Sequence, residues 1–203
     1  MPSRKRIPLI VALAGLAGVV TSVAGTAHAQ DNLLHGPHPF RKDNQISAHV
    51  LVASGRADTM SGTKLAFDYN YKLTSGWIPL WLDLGLNAQH AACNPTPTSP
   101  CTPSTGDLFE TYAGVRWMFA TPFPVVPYLG AVGGLGFAFP NGASAASGFM
   151  IRAVGGANYF FFEWLGLGAQ VGYSLGSFNY DSTFMGSHTY AVLDLGGGLI
   201  FQF

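Results

Sequence analysis

Charged side chains recur in this sequence at positions where a β-strand would place them on one face. Four of these residues are basic and four are acidic: Lys64, Asp68, Lys72, Asp83, Glu110, Arg116, Arg152 and Asp194. Where two or more of them lie in the same predicted strand, their sequence numbers differ by an even number. Because side chains two residues apart point to the same side of a strand, each group would line one surface. Such a surface could conduct ions or form a paired polar core. Equal numbers of each sign favour the paired core, since a selective pore usually keeps an excess of one sign along its wall.

Two cysteines, Cys93 and Cys101, lie in a segment rich in Pro, Thr and Ser. In an exported protein, which meets an oxidising compartment, two such cysteines usually form a disulfide. The sequence therefore predicts a disulfide within this loop. His90 would permit a metal site with both thiolates, but three ligands without a fourth make that interpretation the weaker one.

An enzyme that modifies membrane lipids would need a serine, a histidine and a carboxylate near the lipid surface. Ser187 and His188 are adjacent, and Asp181 lies upstream as a conceivable third member. The parity of this segment turns His188 to the polar face, away from lipid, so we expect no enzyme and no catalytic residues. His49 also has polar-face parity, which predicts a hydrogen-bonding role in the interior. No nucleotide-binding loop and no regular metal-ligand spacing occurs in the sequence, so neither cofactor nor metal is predicted.

A period of two in hydrophobicity identifies the elements that would position these residues. It is clearest at residues 63–73, where Leu65, Phe67 and Tyr69 alternate with polar or small residues. The same pattern recurs at 46–54, 80–87, 107–119, 126–139, 149–160, 165–176 and 188–203. Alternation of this kind is typical of half-buried strands. The sequence thus predicts an all-β fold, an eight-stranded antiparallel up-and-down barrel that crosses a membrane.

The predicted connections alternate in length. Residues 74–77, 120–125 and 161–164 would form tight turns. Longer loops rich in Gly, Ser, Pro, Thr and Asn are predicted at 55–62, 90–106, 140–148 and 177–187. Short turns on one side and long loops on the other are typical of an outer-membrane barrel with both termini in the periplasm.

Alternation alone does not distinguish a membrane barrel from a soluble barrel that carries a ligand. Three features favour the membrane. The polar face is crowded with glycine, the last predicted strand ends in the aromatic Phe203, and aromatic side chains occur near one end of the predicted strands. Aromatic residues cluster near the short turns: Trp77, Trp117, Phe119, Phe123, Tyr159, Phe160, Phe161, Phe162 and Trp164. These features predict a location in the bacterial outer membrane, with its lipids as partners.

The N-terminal segment has the pattern of an export signal. Arg4, Lys5 and Arg6 precede an apolar stretch, and Ala27-His28-Ala29 matches a cleavage site. We therefore predict a cleaved signal peptide at 1–29, a periplasmic lead-in at 30–44 and the barrel at 45–203. Without the three basic residues of the signal, seven Lys and Arg face ten Asp and Glu, a formal charge of −3. This balance excludes the strongly basic face that nucleic-acid binding requires.

The sequence resembles the OmpA/OmpX-like family of small outer-membrane barrels. The resemblance is carried by runs at 127–136, 155–160 and 165–173, and by the terminal Leu-Ile-Phe-Gln-Phe that ends in Phe201 and Phe203. It implies that this last segment is read by the barrel-assembly machinery during biogenesis. It also implies a structural or surface-interaction role through extracellular loops whose ligand the sequence does not identify. A narrow channel through the charged lumen and a lipid hydrolase are the alternative functions.

Overall fold

The computed structural model describes residues 42–55, 60–76, 78–93, 105–119, 121, 125–141, 145–180 and 187–203. It contains eight strands: β1 (Asn44–Gly55), β2 (Met60–Lys72), β3 (Leu80–Cys93), β4 (Thr105–Met118), β5 (Val125–Pro140), β6 (Ala146–Phe162), β7 (Leu165–Tyr180) and β8 (Ser187–Gln202). Each strand pairs antiparallel with its neighbours in the chain, and β1 also pairs with β8, so that the sheet closes. The predicted eight-stranded up-and-down barrel is confirmed.

The seam between β1 and β8 runs over the full length of β1. Its register extends from the pair Gln45–Gln202 to the pair Gly55–Val192. Below this ladder, the Phe203 amide donates a hydrogen bond to the Asn44 carbonyl (3.0 Å), and the Asn44 amide donates to the Phe203 carbonyl (3.2 Å). The barrel is therefore closed by backbone hydrogen bonds up to its last residue.

Burial alternates residue by residue along the strands, as the period of two in the sequence predicts. In β1 the inward side chains are Gln45, Ser47, His49, Leu51 and Ala53, and all of them are buried. The residues between them, among them Ile46, Val50 and Val52, are exposed on the outside. Because successive side chains of a closed sheet point alternately into the lumen and outward, one polar set fills the inside while one apolar set covers the outside.

The lengths of the connections differ from the prediction. The strands leave only residues 56–59, 94–104, 141–145 and 181–186 between them on the side predicted to carry long loops. The opposite connections span 73–79, 119–124 and 163–164. The predicted loops were too long because Gly, Ser and Asn at the strand ends are drawn into the ladders, for example in the pairs Gly62–Ala91 and Ser147–Asn179. Pairing with a neighbouring strand overrides the weak β-propensity of these residues.

The turn between β2 and β3 requires a glycine. Gly76 has a φ of 131°, a backbone conformation that other residues rarely adopt. The β6–β7 connection is the tightest, since only Glu163 and Trp164 separate the two strands.

Residues 1–41 lie outside the described part of the chain. The signal peptide at 1–29 and most of the lead-in at 30–44 therefore stay predictions. Among the described residues, no helix is long and apolar enough to cross a membrane.

Candidate functional site in the barrel interior

Seven of the eight charged residues singled out in the sequence lie inside the barrel. All seven are at most 3% exposed: Lys64, Asp68, Asp83, Glu110, Arg116, Arg152 and Asp194. They come from β2, β3, β4, β6 and β8, and each occupies an inward position of its strand. Buried charges are costly unless they pair and accept or donate hydrogen bonds, so their partners decide what the site can do.

The first group of interior charges, the Arg116 cluster, is centred on a guanidinium from β4. Arg116 donates from Nε (3.1 Å) and Nη2 (2.8 Å) to the same oxygen of Asp83 on β3. The other oxygen of Asp83 accepts a hydrogen bond from the Asn70 side-chain amide at 2.7 Å. Asp68 on β2 lies 3.7 Å from Arg116 Nη2 and accepts a hydrogen bond from the Tyr112 hydroxyl at 2.5 Å. Charge-assisted hydrogen bonds of this kind are about twice as strong as neutral ones.

The second group, the Lys64 cluster, joins β2, β4, β6 and β8. The Lys64 ammonium lies 2.8 Å from Glu110 and 3.4 Å from Asp194. Arg152 Nη2 lies 2.5 Å from the other oxygen of Asp194. The Tyr190 hydroxyl donates to Glu110 at 2.8 Å. These contacts link two cations and two carboxylates in a continuous chain across the lumen.

Asn87 connects the two clusters. Its side-chain nitrogen donates to Glu110 at 2.9 Å, and its side-chain oxygen lies 3.4 Å from the Tyr112 hydroxyl, which also donates to Asp68. The interior charges therefore form one hydrogen-bonded network rather than isolated pairs, and such networks hold a single geometry when their members are satisfied.

Two glycines make room for this network. A Cβ atom at Gly172 on β7 would lie 2.4 Å from Arg152 Nη2 and 2.7 Å from Asp194 Oδ1, so a larger residue would displace the ion pair. A Cβ atom at Gly85 on β3 would lie 2.4–2.5 Å from the ring and hydroxyl of Tyr112. At these two positions, glycine leaves space for large side chains that reach across from other strands.

Apolar side chains also occupy the interior, which the sequence interpretation missed. An upper cluster contains Ala53, Tyr112, Val132, Ala138, Ala146, Met150, Phe178, Tyr190 and Val192. A lower cluster contains Trp81, Met118, Val126, Tyr128, Val154, Phe160 and Ile200. Each of these residues lies an even number of positions from the inward-facing residues of its strand. This spacing was the sequence signal that could have predicted their place in the interior. Phe160 was predicted at the membrane interface and is instead buried in the lower cluster.

Lys72 does not join the buried charges. It is the last residue of β2, and its ammonium lies 2.6 Å from Asp43 at the end of the barrel where β1 begins, where both side chains are partly exposed. The prediction that Lys72 belongs to the interior network was wrong. Lys72 lies where β2 ends, so its side chain reaches the rim of the barrel.

The remaining candidates lie at the opposite rim. His90 and Asp107 are paired across β3 and β4, with Nδ1 and Oδ1 2.7 Å apart, and both side chains are exposed. Cys93 ends β3. Cys101 and Asp181 lie outside the described residues, as do the side chains of Cys93, Ser187 and His188. The disulfide therefore stays a prediction. Within the described ranges no group of three or more His, Cys, Asp or Glu side chains could hold a metal ion.

The outer surface is apolar. Its exposed side chains include Val52, Leu129, Phe149, Ile151 and Leu195, each 56–69% exposed. A barrel with charges inside and aliphatic side chains outside is the inverse of a soluble ligand-carrying barrel, and it suits a hydrocarbon environment. The chain has the fold of a small outer-membrane β-barrel.

Aromatic residues on the outside of this barrel gather near the connection between β6 and β7. The rings of Phe162 and Trp164 stack at 5.8 Å, and those of Trp164 and Phe201 stack at 6.4 Å. Tyr159 and Phe161 meet edge to face at 5.1 Å. Aromatic girdles of this kind mark the interface between lipid and water.

Solved structures with the same fold come from bacterial outer membranes. Neisserial surface protein A is 20% identical, with a TM-score of 0.59, and the match covers 79% of this chain and 96% of that chain. The outer membrane protein OprG from Pseudomonas aeruginosa is 13% identical, with a TM-score of 0.48, over 80% of this chain and 96% of that chain. The N-terminal barrel domain of Pseudomonas aeruginosa OprF is 17% identical, with a TM-score of 0.45, over 79% and 100%.

No model of a protein family matches the sequence, and no curated protein is significantly similar to it. The fold of Neisserial surface protein A agrees with the predicted small outer-membrane barrel fold. At these identities the likeness concerns the fold.

Proposed function

We propose that this barrel is a non-conducting scaffold of the outer membrane whose extracellular loops interact with partners at the cell surface. The proposal rests on one observation: the lumen is filled by its own side chains. An eight-stranded barrel is just wide enough for side chains to fill.

The charged network is bracketed by apolar side chains. The upper cluster and the lower cluster lie on either side of it along the barrel. The space among Asp68, Asp83, Arg116, Arg152 and Gln170 does not accommodate a water molecule. An ion that crossed the barrel would have to shed its hydration shell and separate paired charges, which is costly in a low-dielectric interior. This arrangement supports a closed core over the alternative of a narrow channel.

The connections opposite the chain termini are the candidate interaction sites. With the termini in the periplasm, as is usual for small barrels, residues 56–59, 94–104, 141–145 and 181–186 connect the strands at the extracellular side. Residues 94–104 form the longest of these connections and are rich in Pro, Thr and Ser. Loops held by a rigid scaffold commonly carry the binding function of a protein.

Conductance measurements test the closed core. Refolded protein in planar bilayers should give no steps above the empty bilayer, and a known porin serves as the positive control. Reproducible conductance steps that vanish when Arg152 and Lys64 are both replaced by Met would favour the channel instead.

Loop replacement tests the surface role. A strain would carry the barrel with residues 94–104 replaced by a Gly-Ser linker of equal length, and its outer-membrane level would be matched to that of the natural chain. We expect this strain to show the same phenotype as a strain that lacks the whole protein. The same replacement would be made in each of the other three extracellular connections. If all four variants restored the natural phenotype, a role of the loops would be refuted. Lipid analysis after overexpression tests the hydrolase alternative.

A further inference from the structure

The buried charges of the barrel do not balance. Among the described residues, the buried cations with permanent charge are Lys64, Arg116 and Arg152, whereas the buried carboxylates are Asp68, Asp83, Glu110 and Asp194. Lys72 would have been the fourth cation, but it pairs with Asp43 at the rim. An uncompensated charge in a closed, low-dielectric interior is strongly unfavourable, so a fourth positive charge is expected.

Asp68 is the carboxylate with the weakest cationic contact. The other three each have an ammonium or guanidinium nitrogen within 2.8 Å, supplied by Arg116, Lys64 and Arg152. The Arg116 nitrogen nearest to Asp68 lies at 3.7 Å, and Arg116 already donates twice to another carboxylate. The missing charge is therefore expected beside Asp68.

His49 occupies that position. Its Nδ1 lies 3.4 Å from Asp68 Oδ2, and both side chains are about 1% exposed. The same Asp68 oxygen accepts a hydrogen bond from Ser47 at 3.2 Å, while Tyr112 donates to the other oxygen at 2.5 Å. These contacts supply donors to both oxygens of Asp68, as an ionised carboxylate requires, because it can only accept.

The other neighbours of His49 bring no charge of their own. On β8 its register partner is Gly198, and on β2 it is Ala66. Towards β7 and β6, a Cβ atom at Gly168 would lie 2.9 Å from His49 Nε2 and 3.2 Å from Asn158 Oδ1, so both groups face the same glycine. Of the described charged groups, Asp68 contacts His49 directly, and Asp83, Arg116 and Arg152 line the same space as Asp68. His49 Nε2 and the Asn158 side-chain oxygen make no hydrogen bond to a described residue.

We propose that His49 is the fourth cation of the barrel interior, an imidazolium that is held by Asp68 and completes a set of four positive and four negative charges. Nδ1–H faces Asp68 Oδ2 at 3.4 Å, and Nε2–H faces Gly168 on β7. His49 is thus a built-in proton site, and the closed core depends on a bound proton as well as on its permanent ion pairs. This inference goes beyond the proposed scaffold function.

Nuclear magnetic resonance of the refolded barrel with ¹⁵N-labelled histidine tests the charge state directly. At neutral pH we expect both ring nitrogens of His49 to carry protons. His90, which pairs with Asp107 on the exposed rim, supplies the reference signal of an exposed histidine in the same molecule. A spectrum in which His49 is a neutral single tautomer at neutral pH would overturn the proposal.

A charge-compensation experiment tests the consequence for folding. His49→Gln should lower the urea midpoint of unfolding, because it leaves Asp68 without its counter-charge. The double variant His49→Gln with Asp68→Asn removes one charge of each sign and should recover a large part of the loss. His90→Gln should leave the midpoint unchanged. A His49→Gln variant as stable as the natural chain, or a loss that Asp68→Asn does not relieve, would contradict the inference. If His49→Gln does not fold at all, the spectrum of the natural chain decides.

Discussion

At the scale of single residues, the barrel is held by side chains that reach across the lumen rather than along one strand. Arg152 on β6 contacts Asp194 on β8, and Lys64 on β2 contacts Glu110 on β4. Contacts of this length tie non-neighbouring strands together. The removal of one partner therefore leaves the other buried without compensation.

Arg152→Ala tests this dependence. The change would leave Asp194 with Lys64 alone at 3.4 Å, and breaking a buried pair typically costs about 3–5 kcal/mol. We expect a clear fall in the urea midpoint. Lys72→Ala is the matched control, since its pair with Asp43 is partly exposed and such pairs contribute about 0–1 kcal/mol. Equal effects of the two substitutions would mean that the interior pair is solvated.

Glycine at position 172 is predicted to be required for the ion pair beside it. Gly172→Ala would push the ends of Arg152 and Asp194 apart, and we expect a loss of about 1–3 kcal/mol in the free energy of unfolding. Gly133 on β5 is the control, because it points outward and the nearest atom to an added Cβ is 3.7 Å away. Gly133→Ala should be neutral or slightly stabilising. Denaturant unfolding of both variants in the same detergent would show whether the effect depends on the ion pair.

At the scale of the elements, the alternation in the sequence was sufficient to predict eight strands and the face of most side chains, with Phe160 as an exception. Strand ends were not predictable, since residues such as Gly62 and Ser147 become strand only because a neighbour pairs with them. The composition of the network was largely readable from parity. The contacts within the network could not be predicted, because closure, tilt and register decide which strands face each other across the lumen. Parity also does not show how far along the barrel axis a residue lies, and Lys72 lies too close to the rim to join the network.

The last strand allows a separation of assembly from stability. Phe203 is 53% exposed on the outer surface, while its backbone pairs with Asn44. Phe203→Ala keeps these backbone hydrogen bonds and removes a side chain whose full burial would be worth about 1.5–3 kcal/mol. If the terminal segment is also read by the assembly machinery, the outer-membrane yield in cells should fall strongly while stability after refolding in detergent falls slightly. Leu199→Ala, on the same face, is the control. Normal yield of the Phe203 variant would show that the terminal aromatic is not an assembly signal.

At the scale of the whole molecule, the fold combines an apolar exterior with an interior that holds a network of paired charges. The sheet has no free edge, and every strand is paired on both sides. Every backbone polar group that spans the hydrocarbon can therefore be satisfied within the protein. The folded barrel should therefore resist unfolding by detergent as long as the hydrogen bonds between its strands are intact.

Gel mobility provides a test of this property. The mature chain should fractionate with outer membranes and migrate differently in detergent gels before and after boiling, because the folded barrel stays compact until heated. A variant in which Gly198 is replaced by Pro would lose a donor in the seam and serves as a destabilised reference. Recovery of the natural chain as a soluble periplasmic monomer would contradict the assignment to the membrane.

The seam between β1 and β8 has a kinetic consequence. Seven of the eight strand interfaces join strands that follow each other in the chain, so these strands can pair locally as hairpins. The seam instead joins Gln45 to Gln202, which lies 157 positions away. The loop-closure entropy of such a distant contact delays its formation. Opposite β1, the seam is lined by Gly196, Gly197 and Gly198, which offer no side chains for cross-strand packing. The barrel should therefore close last at the β1–β8 seam during biogenesis. In the folded barrel, the backbone amides of this seam should be the first strand amides to exchange with solvent.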